Sequence, residues 1–539
     1  MSIPALLGPF LAAYTAVLLL YGRLGLVRQR DAGGFVTAGR RLSGWHVFVL
    51  VTAMWTSWIY VTELDEGFAV GISAGWFGVA VLVMSLAVAV LFVTPFRRLG
   101  FVTNSGLLGD AFGPTARTIS AAVIALTFPI FALGNVLAAA ALLRALFGWP
   151  LWAAEAATLA VMLAYVAFGG LVSLVYTQTV NLVVMLSGML SVAAFAALHG
   201  GLTAAGPAVT WHGVAPWGWT AVGGATILVW LVSDLVNVVS AQVEFQAVTA
   251  VERPAVARVA VLWSTAVLAL VTVAAAYLGL KTHAADPGAS SGVLAFPRLL
   301  FAAMPVPVQV LGAASIWAAA LTWSAPLLFS GASSLGLDIA RPVLGLTTPE
   351  AARRLVRWAL PLQAAAVLLY TALRPGDLAW WSVFALTVRN AAIFAPTVGL
   401  LLWPASDARA AVAAMVSGVA AGLGWNALTA FSPTTFALGI NPAWVGTSVS
   451  VVVFLAGSII ANRRRTTWHW PRRAYGYVGW AMALLAALTL LVPGAVGARP
   501  GWAGLLLLTG AVGLELGVGC CCRLVADGGP TDRIVPREG

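Results

Sequence analysis

The chain has 539 residues, of which 61% are apolar and only 9% are charged, and its net charge is +11. A chain with so little polar surface does not form a water-soluble globule, and the composition is typical of an all-α polytopic membrane protein. The basic residues lie between apolar segments, as in loops that flank membrane spans, so the positive charge does not predict a nucleic-acid partner.

Apolar segments of membrane-spanning length recur along the whole chain. The hydrocarbon core of a bilayer is about 30 Å thick, so a spanning helix needs about 20 apolar residues. Segments of that kind predict about fifteen helices, with a range of roughly thirteen to fifteen. They fall at residues 4–25, 45–66, 73–96, 118–146, 150–170, 172–198, 222–246, 259–281, 307–337, 355–373, 378–403, 408–428, 441–462, 474–494 and 501–519.

The basic residues also predict the orientation. Odd-numbered connections and the tail carry 23 of the 29 Lys and Arg residues. Because cytoplasmic loops are enriched in Lys and Arg, we expect the N-terminus outside and the C-terminus in the cytoplasm. No basic residue precedes the first apolar segment, which predicts a retained helix and not a cleaved signal peptide. A single Lys among these residues suggests a GC-rich bacterial genome and a multi-pass protein of the cytoplasmic (inner) membrane.

Two opposite charges are predicted near the middle of the bilayer. At a helical rise of 1.5 Å per residue, Asp234 and Arg389 lie about 18 Å and about 17 Å into their spans from the outer side. An ionised side chain at that depth costs at least about 2.5 kcal/mol, so both are candidate functional residues. They are predicted to form a gate over a bound solute, or Arg389 to hold a solute carboxylate. A buried pair that only fixes helix packing is the alternative.

Other polar and aromatic side chains accompany these charges. Glu63, Asp65 and Glu66 form an acidic cluster predicted at the outer mouth, where it would attract cations or carry a proton; a solvated helix end is the alternative. The span at 222–246 carries a polar run made of Ser233, Asp234, Asn237, Ser240, Gln242 and Glu244. The span at 45–66 contributes the aromatic residues Trp55, Trp58 and Tyr60, which suit a cationic solute as well as packing.

Four segments carry a resemblance to a known family. FVTAGRRLSGWHVF at 35–48 precedes the second predicted span, and VAFGGLVSLVYTQTVNLVVMLSG at 166–188 contains a Gly-Gly pair and a Thr-Gln pair. FQAVTAVERPAVAR follows at 245–258 and AAALTWSAPLLFSGASSLGLDIARP at 318–342. In this order the segments resemble the sodium:solute symporter family.

The resemblance implies the LeuT type of fold, in which two five-helix repeats have inverted topology. Solute and ion would bind between the repeats, where the first helix of each repeat is broken. The implied division is a peripheral helix and cytoplasmic loop at 1–42, repeats at 43–198 and 222–403 around an external loop at 199–221, and peripheral C-terminal helices with a short cytoplasmic tail at 404–539.

Sodium sites in the resembled family combine backbone carbonyls of the span at 45–66 with two adjacent hydroxyls on the span at 307–337, because a hard cation takes several oxygen ligands. Here the hydroxyl positions are Thr322 and Trp323, and Trp323 offers only an N–H donor. Ser324 lies about 100° further around the helix.

Two other family positions also differ from the family pattern. Gln178 replaces an Asp, and an acid present in some members falls at Trp55 or Thr56. The candidate sodium ligands are therefore Thr322, carbonyls from Met54 to Ser57 and, in a distorted helix, Ser324. Sodium, a proton on Asp234 or Glu63, and uncoupled diffusion all remain open as driving modes.

The function implied is import of a small organic solute by alternating access, with Asp234, Arg389, Asn237, Trp58 and Tyr60 among the candidate solute and gate residues. The alternative is a transporter-like sensor that acts through a separate signalling partner, because the chain ends shortly after its last predicted span. An enzyme is not predicted, since no nucleophile motif or phosphate loop is present. No zinc site or other cofactor is predicted, because the three cysteines lack metal-ligand partners. The oligomeric state is not readable from the sequence.

Overall fold

The computed structural model describes residues 3–28, 42–99, 102–199, 215–251, 253–374, 378–403, 405–432, 435–464, 466–468, 470, 474–491 and 500–524. Residues 35–41 of the motif at 35–48, most of the external loop at 199–221 and the tail after 524 lie outside these residues. The described part is almost entirely helical. A short antiparallel ribbon pairs β1 (Thr466–Trp468) with β2 (Cys522–Leu524).

Apolar composition over long runs explains why most of the helices form. Their bounds are α1 Ile3–Arg28, α2 Gly44–Val70, α3 Gly75–Ala87, α4 Val93–Leu99, α5 Asn104–Phe112, α6 Pro114–Phe147, α7 Leu151–His199, α8 Gly224–Asn237, α9 Gln242–Thr249, α10 Pro254–Ala285, α11 Gly292–Ala303, α12 Val306–Ser333, α13 Arg341–Val343, α14 Pro349–Leu373, α15 Leu378–Leu402, α16 Ala408–Ala427, α17 Pro442–Asn462, α18 Ala474–Leu491 and α19 Pro500–Cys521.

Within the described residues, eleven helices are long and apolar enough to span a membrane, or twelve if one bent pair counts as a single span. The sequence predicts about fifteen. The difference arises because helical runs join predicted spans: 45–66 and 73–96 fall in one run of 53 residues, and 150–170 is the first part of α7. The segment predicted at 474–494 contributes only a shorter apolar helix, Gly476–Leu490.

Two of the long helices approach each other closely. α2 and α10 have the most extensive contact of any described pair of helices. A Cβ at Gly279 would lie 2.2 Å from the carbonyl oxygen of Leu64, and one at Gly67 would lie 2.6 Å from that of Ala276. Because glycine has no side chain, the two backbones approach each other at these positions, as small residues permit in membrane bundles.

One predicted helix break is present and the other is absent. α8 and α9 meet at a bend of 53°, with a 3₁₀ turn at Val238–Ser240 and Ala241 outside helical geometry. The expected break in the span at 45–66 is wrong, because α2 is one continuous α-helix of 27 residues. Within its polar run, the side chains of Trp55, Ser57 and Tyr60 have hydrogen-bond partners on neighbouring helices, whereas Thr56 Oγ1 has none among the described residues.

Two shorter helices, α5 and α11, pack against the long helices of the bundle. α11 packs against α2, α6 and α10. Asp65 accepts a hydrogen bond from the backbone N–H of Val293 at 3.1 Å, in the first turn of α11. α5 packs on α6, and Asn104 donates to the carbonyl oxygen of Val239 inside the break between α8 and α9. These contacts attach both connecting helices to the bundle.

We expect Gly279→Ala to destabilise the protein, because the added methyl group meets the backbone of α2. Overpacking of this kind costs about 1–3 kcal/mol. Gly424→Ala on α16 is the matched control, since a Cβ there has no neighbour within 4 Å. Thermal unfolding of the purified full chain should show a lower melting temperature for the first variant only. Equal melting temperatures for the two variants would contradict the close approach of α2 and α10.

Candidate functional site

The break between α8 and α9 holds a buried arginine. Arg389 on α15 is 5% exposed, and its guanidinium donates to Oδ1 of Asn237, the last residue of α8. Ser240 donates to the same oxygen at 2.9 Å. A broken membrane helix needs partners for its freed polar groups, and these side chains supply some of them. The structure thus brings the predicted residues Asn237 and Arg389 into direct contact.

Asp234 lies one helical turn from Asn237, on the same helix as the arginine's partner. In the described part of the chain, Asp234 and Arg389 form no ion pair within 4.0 Å, and Oδ2 of Asp234 has no hydrogen-bond partner. The predicted pair therefore shares one region without direct contact. A buried carboxylate oxygen without a partner is costly unless a proton or a ligand satisfies it.

Aromatic rings line the space between α2, α6 and α12. The ring of Trp58 stacks on that of Trp323 with centroids 4.9 Å apart, and Trp55 lies 5.4 Å from the same ring. The guanidinium carbon of Arg389 lies 4.1 Å from the centre of the Phe131 ring, which also faces Trp58. The aromatic residues predicted on α2 and α12 thus form one cluster that continues to the arginine.

α2 and α12 are joined by hydrogen bonds at the position where the resemblance implies a sodium ion. Ser57 Oγ donates to the carbonyl oxygen of Ala319 at 2.5 Å. The amide nitrogen of Asn135 on α6 lies 2.7 Å from Ser57 Oγ, 3.3 Å from the Ser57 carbonyl oxygen and 3.3 Å from that of Ala319. All three residues are fully buried or nearly so.

The remaining candidate positions on α12 are also engaged. Thr322 Oγ1 donates to the carbonyl oxygen of Ala318 one turn earlier, and Nε2 of Gln178 donates to the Thr322 carbonyl oxygen at 2.7 Å. The indole N–H of Trp323 donates to the carbonyl oxygen of Phe131 at 2.7 Å. Ser324 donates to the carbonyl oxygen of Ala132, so its side chain points towards α6 and away from α2.

These residues do not fit a sodium ion between α2 and α12. A hard cation needs several free oxygen atoms, but the Thr322 carbonyl oxygen accepts from Gln178, and the amide nitrogen of Asn135 lies 3.3 Å from the Ser57 and Ala319 carbonyl oxygens. Because α2 is continuous, the carbonyl of Met54 belongs to the helical hydrogen-bond ladder. Met54 instead lines a cavity beside Glu244.

Glu244 on α9 is a buried carboxylate at the edge of the aromatic cluster. It is 0% exposed, accepts from the indole N–H of Trp55 at 3.0 Å and accepts from Ser85 at 3.4 Å. It borders a small cavity between α2, α7, α9 and α12, which Met54 and Gln178 also line. Burying an acidic side chain inside a membrane costs free energy, so an acid beside a cavity is a candidate functional residue.

Glu63 and Asp65 of the predicted acidic cluster have different surroundings. Glu63 is 0% exposed and lies against Gly78 and Thr272, between α2, α3 and α10, and both of its carboxylate oxygens lack a hydrogen-bond partner among the described residues. Asp65 instead bonds to the start of α11. Tyr60 pairs with Ser315 on α12 at 3.1 Å, and its ring meets that of Phe296 on α11.

Two residues of this region are absent from the candidates that the sequence suggests. Asn135 lies in the middle of an apolar helix and belongs to no motif, so only its polarity at membrane depth could have drawn attention to it. Glu244 lies in the polar run of the span at 222–246, but its contact with Trp55 depends on the break that precedes α9. The contacts of Asn135 and Glu244 join residues that are far apart in the sequence, so residue spacing does not predict them.

The described part of the chain is a bundle of apolar helices, and one of them is broken at a buried polar site. This architecture is typical of secondary transporters. The family model of the sodium:solute symporter family matches residues 35–418, and the chain belongs to this family. Confirmed membership agrees with the resemblance seen in the sequence motifs. It also means that relatives of this chain are transporters and not enzymes.

Curated relatives match over part of their length. The chain is similar to the sodium/iodide cotransporter of Homo sapiens, with 30% identity over 168 residues, which are 31% of this chain and 26% of the relative. It is similar to sodium/glucose cotransporter 2 of Rattus norvegicus, with 28% identity over 183 residues, which are 33% of this chain and 27% of the relative. The matched segments thus span about a quarter of each relative.

Solved structures share the fold. A substrate-bound, outward-open, sodium-coupled sialic acid symporter superposes with a TM-score of 0.67 at 15% identity, covering 85% of this chain and 98% of that one. Mhp1, a nucleobase-cation-symport-1 family transporter in a closed conformation with bromovinylhydantoin bound, gives a TM-score of 0.52 at 13% identity and covers 80% and 94%. At these identities the likeness concerns the fold alone.

Trp55→Phe should lower the melting temperature, because it removes the indole N–H that Glu244 accepts and leaves a buried carboxylate poorly paired. Such a loss costs about 1–3 kcal/mol. Trp58→Phe is the matched control, since that ring contributes stacking and no hydrogen bond in this network. The double variant Trp55→Phe/Glu244→Met should recover stability, because both polar partners are then absent. Failure to recover would show that the hydrogen bond is not the cause.

Proposed function

We propose that the chain is a secondary transporter that imports a small organic solute across the cytoplasmic membrane by alternating access. The repeats at 43–198 and 222–403 would move against each other around a solute held between α2, α8, α12 and α15. The observation that carries this proposal is the contact of Arg389 with Asn237 at the end of a broken membrane helix. Broken helices place ligands at the interface of such repeats.

The proposed solute carries an anionic group and a flat or apolar part. Nε of Arg389 is buried and has no hydrogen-bond partner in the described residues, so a solute carboxylate would satisfy a donor that is otherwise unpaired. Phe131, Trp58 and Trp323 beside it offer ring faces to the rest of the solute. Asp234, whose Oδ2 is also without a partner, is placed to receive a donor group of the solute or to close over it.

The proposed coupling cation is a proton carried by Glu244. This carboxylate borders the cavity beside Met54, which lies in the cytoplasmic half of α2 in the predicted orientation. Its contact with Trp55 connects it to the aromatic cluster where the solute would bind. Protonation would remove a buried charge, and the same change would alter the Trp55 hydrogen bond next to the solute. Asp234 and Glu63 remain further candidate proton carriers.

A screen of small carboxylates by thermal shift, followed by uptake into proteoliposomes, tests the solute class. A solute found in this way should bind at least about tenfold more weakly to Arg389→Lys, because hydrogen bonds to charged groups contribute about 1.5–3 kcal/mol and Lys lacks the planar fork. Arg354→Lys, at an exposed position on α14, is the control and should bind normally. Unchanged affinity in Arg389→Lys would remove the arginine from the site.

Uptake of that solute by the unmodified protein should rise as the external pH falls, because a proton gradient would then drive it. Glu244→Gln should make uptake insensitive to pH, since the amide cannot exchange a proton. Glu350→Gln at an exposed position in the first turn of α14 should keep the pH response. A pH response that persists in folded Glu244→Gln would exclude Glu244 as the proton carrier.

A further inference from the structure

We propose that the side-chain amide of Asn135 takes the place of a sodium ion between α2 and α12, so that this chain binds no sodium there. The consequence for transport rests on the proposed function. The absence of sodium binding does not, because it can be measured on the purified protein without any solute.

Three oxygen atoms converge on the amide nitrogen of Asn135. They are the carbonyl and hydroxyl oxygens of Ser57 and the carbonyl oxygen of Ala319, at 3.3, 2.7 and 3.3 Å. The residues come from α2 and α12, and Asn135 comes from α6, so a single amide group joins three helices. All of the atoms involved lie in residues with 5% exposure or less.

The chemistry of this group opposes a cation. An amide nitrogen carries two hydrogens with partial positive charge, so it can donate to two of the three oxygen atoms that would otherwise ligate an ion. The hydroxyl hydrogen of Ser57 is directed at Ala319 in the same way. None of the three oxygens belongs to a carboxylate, so the cage has no net negative charge with which to attract sodium. The neutral amide forms hydrogen bonds to these buried oxygen atoms, and no charge has to be transferred from water into the protein interior.

Oxygen atoms of the neighbouring residue Thr322 are also engaged in hydrogen bonds. Thr322 directs its hydroxyl hydrogen to Ala318, and Gln178 fills the Thr322 carbonyl. Trp323 occupies a position where the resembled family has a hydroxyl, and its N–H is directed at α6. The two amide side chains, Asn135 and Gln178, therefore act together on the face of α12 that would otherwise face an ion.

The orientation of the Asn135 amide makes the proposal falsifiable. Its Oδ1 has no hydrogen-bond partner among the described residues. Rotating the amide by half a turn would bring Oδ1 against two carbonyl oxygens and the Ser57 hydroxyl, of which only the hydroxyl could donate to it. A cation among these oxygens would favour that orientation, whereas the observed orientation directs amide hydrogens at them. The dependence of stability on sodium thus distinguishes them.

The test compares the melting temperature of the purified full chain in sodium chloride and in choline chloride, at equal ionic strength and pH. We expect the same value in both salts for the unmodified protein. Asn135→Asp should melt at a higher temperature in sodium than in choline, because a carboxylate removes the amide hydrogens and adds negative charge to the cage. Asn426→Asp on α16 is the matched control, a buried asparagine whose Oδ1 also lacks a partner, and should not respond.

A sodium-dependent rise in the melting temperature of the unmodified protein, lost in Asn135→Ala, would overturn the proposal and make Oδ1 of Asn135 an ion ligand. A folded Asn135→Asp protein without a sodium response would also count against the cage. The salt comparison needs no transport, so a failure to find solute uptake would affect the proposed function and leave this result standing. Where uptake is found, replacing sodium by choline should leave its rate unchanged.

Discussion

Polar groups inside a bilayer have no water to bind, so every one that the fold buries must find a partner within the protein. In this chain the requirement is met between α2, α6 and α12 by amide side chains, chiefly Asn135 and Gln178, where the family resemblance implies an ion. The continuous geometry of α2 agrees with this arrangement. A helix whose carbonyls are already bonded has no need to unwind, and no free carbonyls remain to bind a cation.

The same need for hydrogen-bond partners applies to the charged residues of the site. Arg389 has Asn237 and an aromatic ring as neighbours, yet its Nε remains unpaired. Glu244 has Trp55 and Ser85 and borders a cavity. One group is thus suited to a solute anion and the other to a proton. In the proposed mechanism a proton takes the role of sodium, and the fold of a sodium symporter is retained with a different coupling ion.

Much of this was visible in the sequence because it depends on local chemistry. Trp323 cannot ligate a cation in any fold, and the predicted depth of Arg389 follows from helical rise, so the sequence is enough to name both as candidates. The break near Ser240 was expected from the resemblance and is present. The break in α2 was also expected and is absent, because several of its polar side chains have tertiary partners that no single sequence reveals. Asn135 was missed for the same reason, since it contacts Ser57 across 78 positions of chain.

A high-resolution electron cryomicroscopy map of the purified chain in sodium chloride tests the central claim most directly. The account predicts an unbroken α2 through Ser57, with the Asn135 side chain between Ser57 and Ala319 and no additional density among their oxygens. An unwound α2 around a separate peak, coordinated at ion-binding distance by the Ser57 and Ala319 carbonyls and the Thr322 hydroxyl, would contradict it.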